Sequence, residues 1–211
     1  MSGYKLYYFN VRGRAEIGRL SFAAANIEFE DVRLTSEEWA KEKASGRAPL
    51  GQMPFIVTPE GKALAQSAAI MKYICRKAGL SPTDSFDQAI ADMISDGVDD
   101  LRNGLTRFFF EKDEAKKEEL KKEFFENTFP ARLQKFETIL KSRNEGKGFF
   151  LGDKLTYADI TVFDLFNVFS GGEPTVPELL EKYPLLVEHY KRVVSVPGIK
   201  AWVEKRPKSE H

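Results

Sequence analysis

Gly51-Gln52-Met53-Pro54-Phe55-Ile56-Val57 is the stretch from which the fold of this chain can be read. Pro54 heads a short apolar run that reads as a buried strand, since a proline has no amide for a ladder and is tolerated at a strand's first position. Thr58-Pro59-Glu60-Gly61 is turn chemistry: proline sets φ, and glycine supplies φ > 0. Lys62-Ala63-Leu64-Ala65 then returns antiparallel. Gln66-Ser67 follows, and a helix with Ile70, Met71, Ile74 and Cys75 on one face begins at once, its free N–H groups capped by a polar hydroxyl. One compact unit thus sets a proline-fixed backbone edge beside a helix N-terminus, which attracts anions. That combination suits a small peptide-like ligand carrying a carboxylate.

Upstream, Lys5-Leu6-Tyr7-Tyr8-Phe9-Asn10 is aromatic-rich and strand-like, and Arg12-Gly13-Arg14 makes a turn. Ala15 to Ala25 reads as a helix with Ile17, Leu20, Ser21 and Ala24 on one face, and Phe29 to Leu34 as a second strand. Strand, helix, strand at this spacing implies a right-handed crossover and a parallel pair. Thr35-Ser36-Glu37-Glu38 opens a short helix with acidic residues in its first turn, as the helix dipole prefers. The order β-α-β-α-β-β-α over residues 1–79 is an α/β layer fold.

Residues 80–84, which follow Gly79, form a linker by composition, and residues 85–211 read as all-helical. Phe86, Ile90, Met93, Ile94, Val98, Leu101, Leu105 and Phe108 fall on one stripe. Leu120, Phe124, Leu133, Phe136 and Leu140 fall on another, with Pro130 expected to bend that helix. The run Glu111 to Glu123 reads as a solvated loop and helix face. Leu155 to Phe169 is apolar nearly all round and is expected to be the central buried helix of this part. Thr156-Tyr157-Ala158-Asp159 has capping-box form. Shorter helices follow around Leu185 to Val194 and Ile199 to Val203.

Composition removes several classes of function. Lysine plus arginine equal aspartate plus glutamate at 32 each, so nothing calls for nucleic acid or an anionic membrane as partner. No run of about 18 apolar residues is present, and Met1-Ser2-Gly3-Tyr4-Lys5 lacks the apolar core of a signal peptide. Cys75 is the only cysteine, which excludes an internal disulfide and makes a reducing, cytoplasmic setting the expectation. His189 and His211 with one cysteine do not make a zinc site. Cys75 lies on an apolar helical stripe, as a small core residue does, and the chain has no Gly-x-Ser-x-Gly, phosphate loop or dinucleotide fingerprint. A reactive group must therefore arrive with a ligand. The candidates left to receive it are Tyr8, Arg14 and the edge around Pro54.

At these residues a resemblance appears. Tyr4-Lys5-Leu6 with Tyr8-Phe9-Asn10 and Arg12-Gly13-Arg14-Ala15-Glu16 resembles the start of sigma-class glutathione S-transferases. Invertebrate members, nematode ones among them, and the glutathione-dependent prostaglandin D synthase share that start. The likeness continues through Trp39 and Lys43, Gly51 to Pro54, Gln66-Ser67, Asp96 with Asp99-Asp100, Gly152-Asp153 and Thr156 to Asp159, and ends with Ile199 to Trp202 and Lys205-Arg206-Pro207. It spans essentially the whole chain, and the combination is specific although each piece alone is weak.

The resemblance implies an α/β thioredoxin-like N-terminal domain plus an all-α C-terminal domain, glutathione as co-substrate, no required metal, and a homodimer. It implies that Tyr8 donates its hydroxyl to the glutathione sulfur, with Arg14 helping to polarise the thiolate. Gln52, Met53 and a cis Pro54 would present the backbone edge to the cysteinyl part. Gln66 and Ser67 would take the γ-glutamyl end, Trp39 and Lys43 the glycyl end, and Asp100 the γ-glutamyl amine of glutathione on the other subunit. Asp96, Asp99 and Asp100 match acidic positions that bind a divalent cation between subunits of the prostaglandin enzyme.

The second-substrate pocket is expected between Phe9, Val11 and Gly13 of the first part and Arg107 and Leu165 of the second. Two departures stand out. The Thr58 to Gly61 turn is one residue longer than the family's usual hairpin, and Arg102 and Arg107 replace apolar or aromatic pocket residues of the prostaglandin enzyme. The implied activity is conjugation of the glutathione thiolate to hydrophobic electrophiles, in detoxification. The alternatives are a glutathione-dependent isomerase or peroxidase and, in another class, a non-catalytic ligand carrier or crystallin-like protein.

Overall fold

The computed structural model describes residues 3–208; Met1, Ser2 and His211, read above, lie outside them. Strand β1 (Tyr4–Phe9) runs parallel to β2 (Phe29–Leu34) in the register Tyr4↔Phe29 to Phe9↔Leu34, joined by α1 (Glu16–Ala24). After α2 (Ser36–Ala44), β3 (Phe55–Val57) and β4 (Ala63–Ala65) add antiparallel, giving the order β2-β1-β3-β4. Helix α3 (Ser67–Lys77) closes the layer. This is the mixed, thioredoxin-like sheet that the sequence implies. The β3–β4 turn is closed by the Gly61 amide on the Thr58 carbonyl at 2.9 Å, with Gly61 at φ +80.

The helical part comprises α4 (Ser85–Phe109), α5 (Glu114–Glu123), α6 (Phe129–Ser142), α7 (Tyr157–Phe169), α8 (Pro184–Val194) and α9 (Pro197–Lys205). Capping residues fix several starts. Thr35 and Glu38 form a reciprocal box at α2, and one Asp84 oxygen accepts the Phe86 and Asp87 amides at α4. Asp159 Oδ2 accepts the amide and hydroxyl of Thr156 at the head of α7. Helix α7 is buried from Tyr157 through Asn167, which matches its all-round apolar sequence.

Three local expectations change. Phe86 and Met93 are 73% and 54% exposed, because the buried face of α4 runs through Ala91, Ile94, Val98 and Leu101. Phe86 and Met93 sit beside that face, one heptad apart. Pro130 does not bend a continuous helix. The chain winds as a π-turn over Phe124–Thr128, and Pro130 falls in the first turn of α6. A proline inside a helix has no amide to give and clashes with the preceding turn, so the irregularity comes just before it. Finally, no hydroxyl caps α3: Gln66 is its N-cap, at φ +74, with no side-chain cap bond, and Ser67 is already helical.

One apolar core joins the two layers. Ile17 and Leu20 of α1 and Met71 and Cys75 of α3 pack into the same cluster as Val98, Phe163, Leu165 and Tyr190. At about 1.5–3 kcal/mol for each fully buried large apolar side chain, this shared core holds the layers together. A buried polar knot adds direction. Glu16 Oε1 accepts from Trp202 Nε1 at 2.7 Å and Arg206 Nη1 at 2.6 Å, and Oε2 from Arg19 Nη1 at 3.2 Å. The head of α1 is thereby tied to α9.

Candidate active site

Tyr8 stands near the end of β1, and the loop that follows folds back over its ring. Gly13, at φ +43, lies so close that an added Cβ would be 2.9 Å from the Tyr8 hydroxyl oxygen. Only glycine suits both that conformation and that approach. The loop then brings the Arg14 amide to 3.3 Å from the hydroxyl, which accepts its hydrogen. The phenol's own proton is left to donate elsewhere, and Tyr8 lines a cavity of about 380 Å³ between the layers.

The Arg14 guanidinium points the other way. Nη1 meets Asp99 Oδ1 at 2.6 Å and Nη2 meets Asn103 Oδ1 at 2.9 Å, so the residue clamps the loop after β1 onto α4. Arg14 also borders a small gap of about 40 Å³ whose lining includes Ser67, Met71, Asp96, Asp99 and Asp164.

The backbone edge lies beside Tyr8. The β1–β3 register pairs Tyr7 with Phe55 and, continued by one residue, sets Pro54 across from Tyr8. The Met53–Pro54 peptide is cis. Gln52 is extended and exposed. Lys43 reaches over the same edge, its Cε 3.5 Å from where a Cβ on Gly51 would stand. Trp39 is half-buried and packs on Tyr7, Ala48, Phe55 and Ala65. At the start of α3, the side chains of Gln66 and Ser67 make no hydrogen bond among the described residues. The left-handed backbone at Gln66 costs of order 1–3 kcal/mol for a non-glycine residue, and such outliers cluster at ligand clamps. Edge, uncapped helix start and lysine together fit a short anionic peptide.

Of the three expected carboxylates Asp96 is exposed, and the other two are engaged. Asp100 is exposed and accepts from Arg132 Nη2 at 3.1 Å, while Asp99 holds Arg14. Among the described residues no group of three or more histidine, cysteine or acidic side chains is placed to hold a metal ion. Burial pushes the Cys75 thiol up to about 12, so it is no nucleophile near neutral pH.

The cavity wall differs from the expected one. Gly13 lines it, but Phe9, Val11, Arg107 and Leu165 do not. Leu165 is fully buried in the central core, and the wall from α7 is Asp164, Asn167 and Val168, which share a helix face on the other side. On α4 the facing residues are Arg102, Leu105, Thr106 and Phe109, a phase that leaves Arg107 in solvent. Successive strand residues point to opposite faces, so with Tyr8 turned to the cavity Phe9 is turned away. The signal for Asp164, Asn167 and Val168 was their three- and four-residue spacing. Inside the wall Arg102 Nη2 meets Asp164 Oδ2 at 2.6 Å, and burial pushes the Asp164 carboxyl up while Arg102 opposes it.

Comparison with known proteins supplies the name for this geometry. Residues 4–76 match the family model for the glutathione S-transferase N-terminal domain, and residues 99–206 the one for the C-terminal domain. The chain belongs to the glutathione S-transferase family. Hematopoietic prostaglandin D synthase of Gallus gallus is 37% identical to this transferase over 209 residues, covering 99% of each chain. Probable glutathione S-transferase 9 of Caenorhabditis elegans is 34% identical over 98% of each. The solved structure of a Nu-class transferase from Haemonchus contortus superposes with a TM-score of 0.87 at 37% identity over both whole chains. This protein is a glutathione transferase, with glutathione as its co-substrate. No described helix is long and apolar enough to cross a membrane.

Proposed function

We propose that this transferase conjugates hydrophobic electrophiles with a glutathione thiolate held by the Tyr8 hydroxyl. The observation that carries the reading is the Arg14 amide on the Tyr8 oxygen, which leaves the phenol proton to be given to a sulfur. A chain of hydrogen bonds polarises its members, so the amide makes the phenol a better donor. The thiolate is the nucleophile, and a free thiol near pKa 8.5 is mostly protonated at neutral pH. Arg14 assists through its amide and by clamping the loop. Gln52, Met53 and Pro54 offer the peptide edge, Gln66 and Ser67 the γ-glutamyl site, and Trp39 and Lys43 the glycyl site.

The working unit is a homodimer of sigma type in the cytoplasm. The exposed Phe86 and Met93 on one side of α4 support an apolar contact with a second copy. A single, buried cysteine fits a reducing compartment. Asp100 serves glutathione on the partner. Its exposure keeps the contribution small, so Asp100→Ala raises the KM for glutathione roughly two- to fivefold, more than it lowers kcat, in a variant that stays dimeric.

The test is retention on glutathione resin together with turnover of chlorodinitrobenzene. Retention with turnover is the expected result. Retention without turnover makes the protein a carrier, and an unretained, folded protein removes the assigned glutathione site.

A further inference from the structure

A second cavity, of about 580 Å³, lies outside the Tyr8 site and shares no lining residue with it. The neighbours at the end of α7 part here: Val168 lines the first cavity and Phe169 the second. Phe108 of the first and Phe125 of the second stand 5.9 Å apart between ring centroids and divide the two.

The π-turn before α6 builds one wall. Its wide winding sends the Phe129 amide back to the Phe124 carbonyl. Phe125, Phe129 and Phe169 then form a triangle, with centroids 6.0, 6.2 and 5.2 Å apart. Phe125 is nevertheless 37% exposed. Across the cavity, the Tyr183 hydroxyl donates to the Pro130 carbonyl at 3.2 Å. The polar tip is thus spent, and the aromatic body remains for the cavity. Leu133 and Leu179 complete the apolar lining. π-turns are frequent at functional sites, and concave apolar pockets of roughly 300–1,000 Å³ are the usual seats of small molecules.

The rim carries a sign. Glu178 and Glu181 are exposed, and their carboxylates make no hydrogen bond or ion pair among the described residues. Lys182 is the one cation of the lining. Burial, and with it the charge of Glu137, pushes the Tyr183 phenol up, so a carboxylate field already reaches this wall.

We propose that this cavity binds hydrophobic organic cations, quaternary or protonated amines carried on an aromatic body. Ring faces attract a cation through their quadrupole, and the two unpaired carboxylates attract it again at the rim. The apolar body is taken up by Leu133, Leu179 and the rings. Glutathione and its conjugates are anionic at neutral pH, so the same rim repels them. The site therefore does not compete with the Tyr8 cavity, and it stands independently of the role given to Tyr8.

The probe is thioflavin T, a permanently charged benzothiazolium dye whose fluorescence rises when its rings are immobilised. Its uncharged benzothiazole parent is the control. Wild type is expected to bind the dye saturably, and to keep it when S-hexylglutathione saturates the Tyr8 site. The double variant Glu178→Gln, Glu181→Gln should raise the Kd for the dye about three- to tenfold, as two exposed charges allow, and leave that of the uncharged parent unchanged. Phe125→Leu, which keeps an apolar side chain but loses the ring, should raise the Kd for the dye about two- to fivefold. Absence of saturable binding overturns the proposal. So does displacement of the dye by S-hexylglutathione, which would put it in the Tyr8 cavity. An unchanged Kd in the double variant overturns it as well, and because both glutamates are exposed that variant decides even where Phe125→Leu fails to fold.

Discussion

His189 Nε2 lies 2.9 Å from Asp159 Oδ1, and both side chains are sealed from solvent. Asp159 also accepts the Phe150 amide at 2.8 Å and both the amide and hydroxyl of Thr156. One carboxylate thus joins the start of α7, the loop before it and α8. Asp159→Ala strands these donors in the core. Breaking a buried pair of this kind costs about 3–5 kcal/mol. At about 2–4 °C per kcal/mol for a chain of this size, melting falls by roughly 6–20 °C. Activity per folded molecule should change little. A wild-type melting temperature and refolding yield would contradict the assigned role.

Glu16 gives stability a definite pH dependence. Burial alone pushes its carboxyl up, but Arg206, Arg19 and the bonds from Trp202 and Arg206 outweigh it and hold it below the ordinary value of 4.5. A depressed native pKa means that the contribution is full above the unfolded value and is lost as pH falls through the native one. Glu16→Gln should therefore lower the urea midpoint most at neutral pH. The gap from wild type should narrow as pH drops below about 4.5. A gap constant from neutral pH down to about pH 3 would show that the Glu16 charge is not what ties α1 to α9.

Cys75 should be silent in the native protein. With its thiol at about 12, almost no thiolate exists near neutral pH, and the side chain is fully buried. Ellman's reagent is expected to react with one thiol per chain in guanidinium and with none in buffer. Rapid native reaction would mean that α3 opens from the core.

The elements written in local chemistry were legible in the sequence. The Thr156–Asp159 box announced a buried helix start, the Thr58 to Gly61 turn announced the hairpin, and Pro54 marked the head of β3. What was not legible depends on three-dimensional phase. Periodicity put Phe86 and Met93 on the stripe of Ile94 and Val98, but it cannot say which part of a wide stripe one chain covers. Leu165 was expected in the cavity wall, yet on α7 both faces are apolar and the neighbouring Asp164 and Val168 face the opening. Gln66 at φ +74 left no trace in the sequence, because its strain is set by the β4–α3 corner rather than by its own preference.

The account rests on Tyr8 as the residue that makes a thiolate. In Tyr8→Phe the ring remains, so packing and glutathione binding should survive while one hydrogen bond to a charged sulfur is lost. Such a bond contributes about 1.5–3 kcal/mol, or roughly one to two pKa units on the thiol. It is made far better to thiolate than to thiol, so the loss appears in turnover rather than in affinity. The decisive measurement is the pH titration of thiolate absorbance for glutathione bound to wild type and to Tyr8→Phe. The account predicts that the bound thiol titrates roughly one to two pH units higher in the variant. Titration of both at the same pH would contradict it and make the Arg14 amide the leading candidate for activating the sulfur.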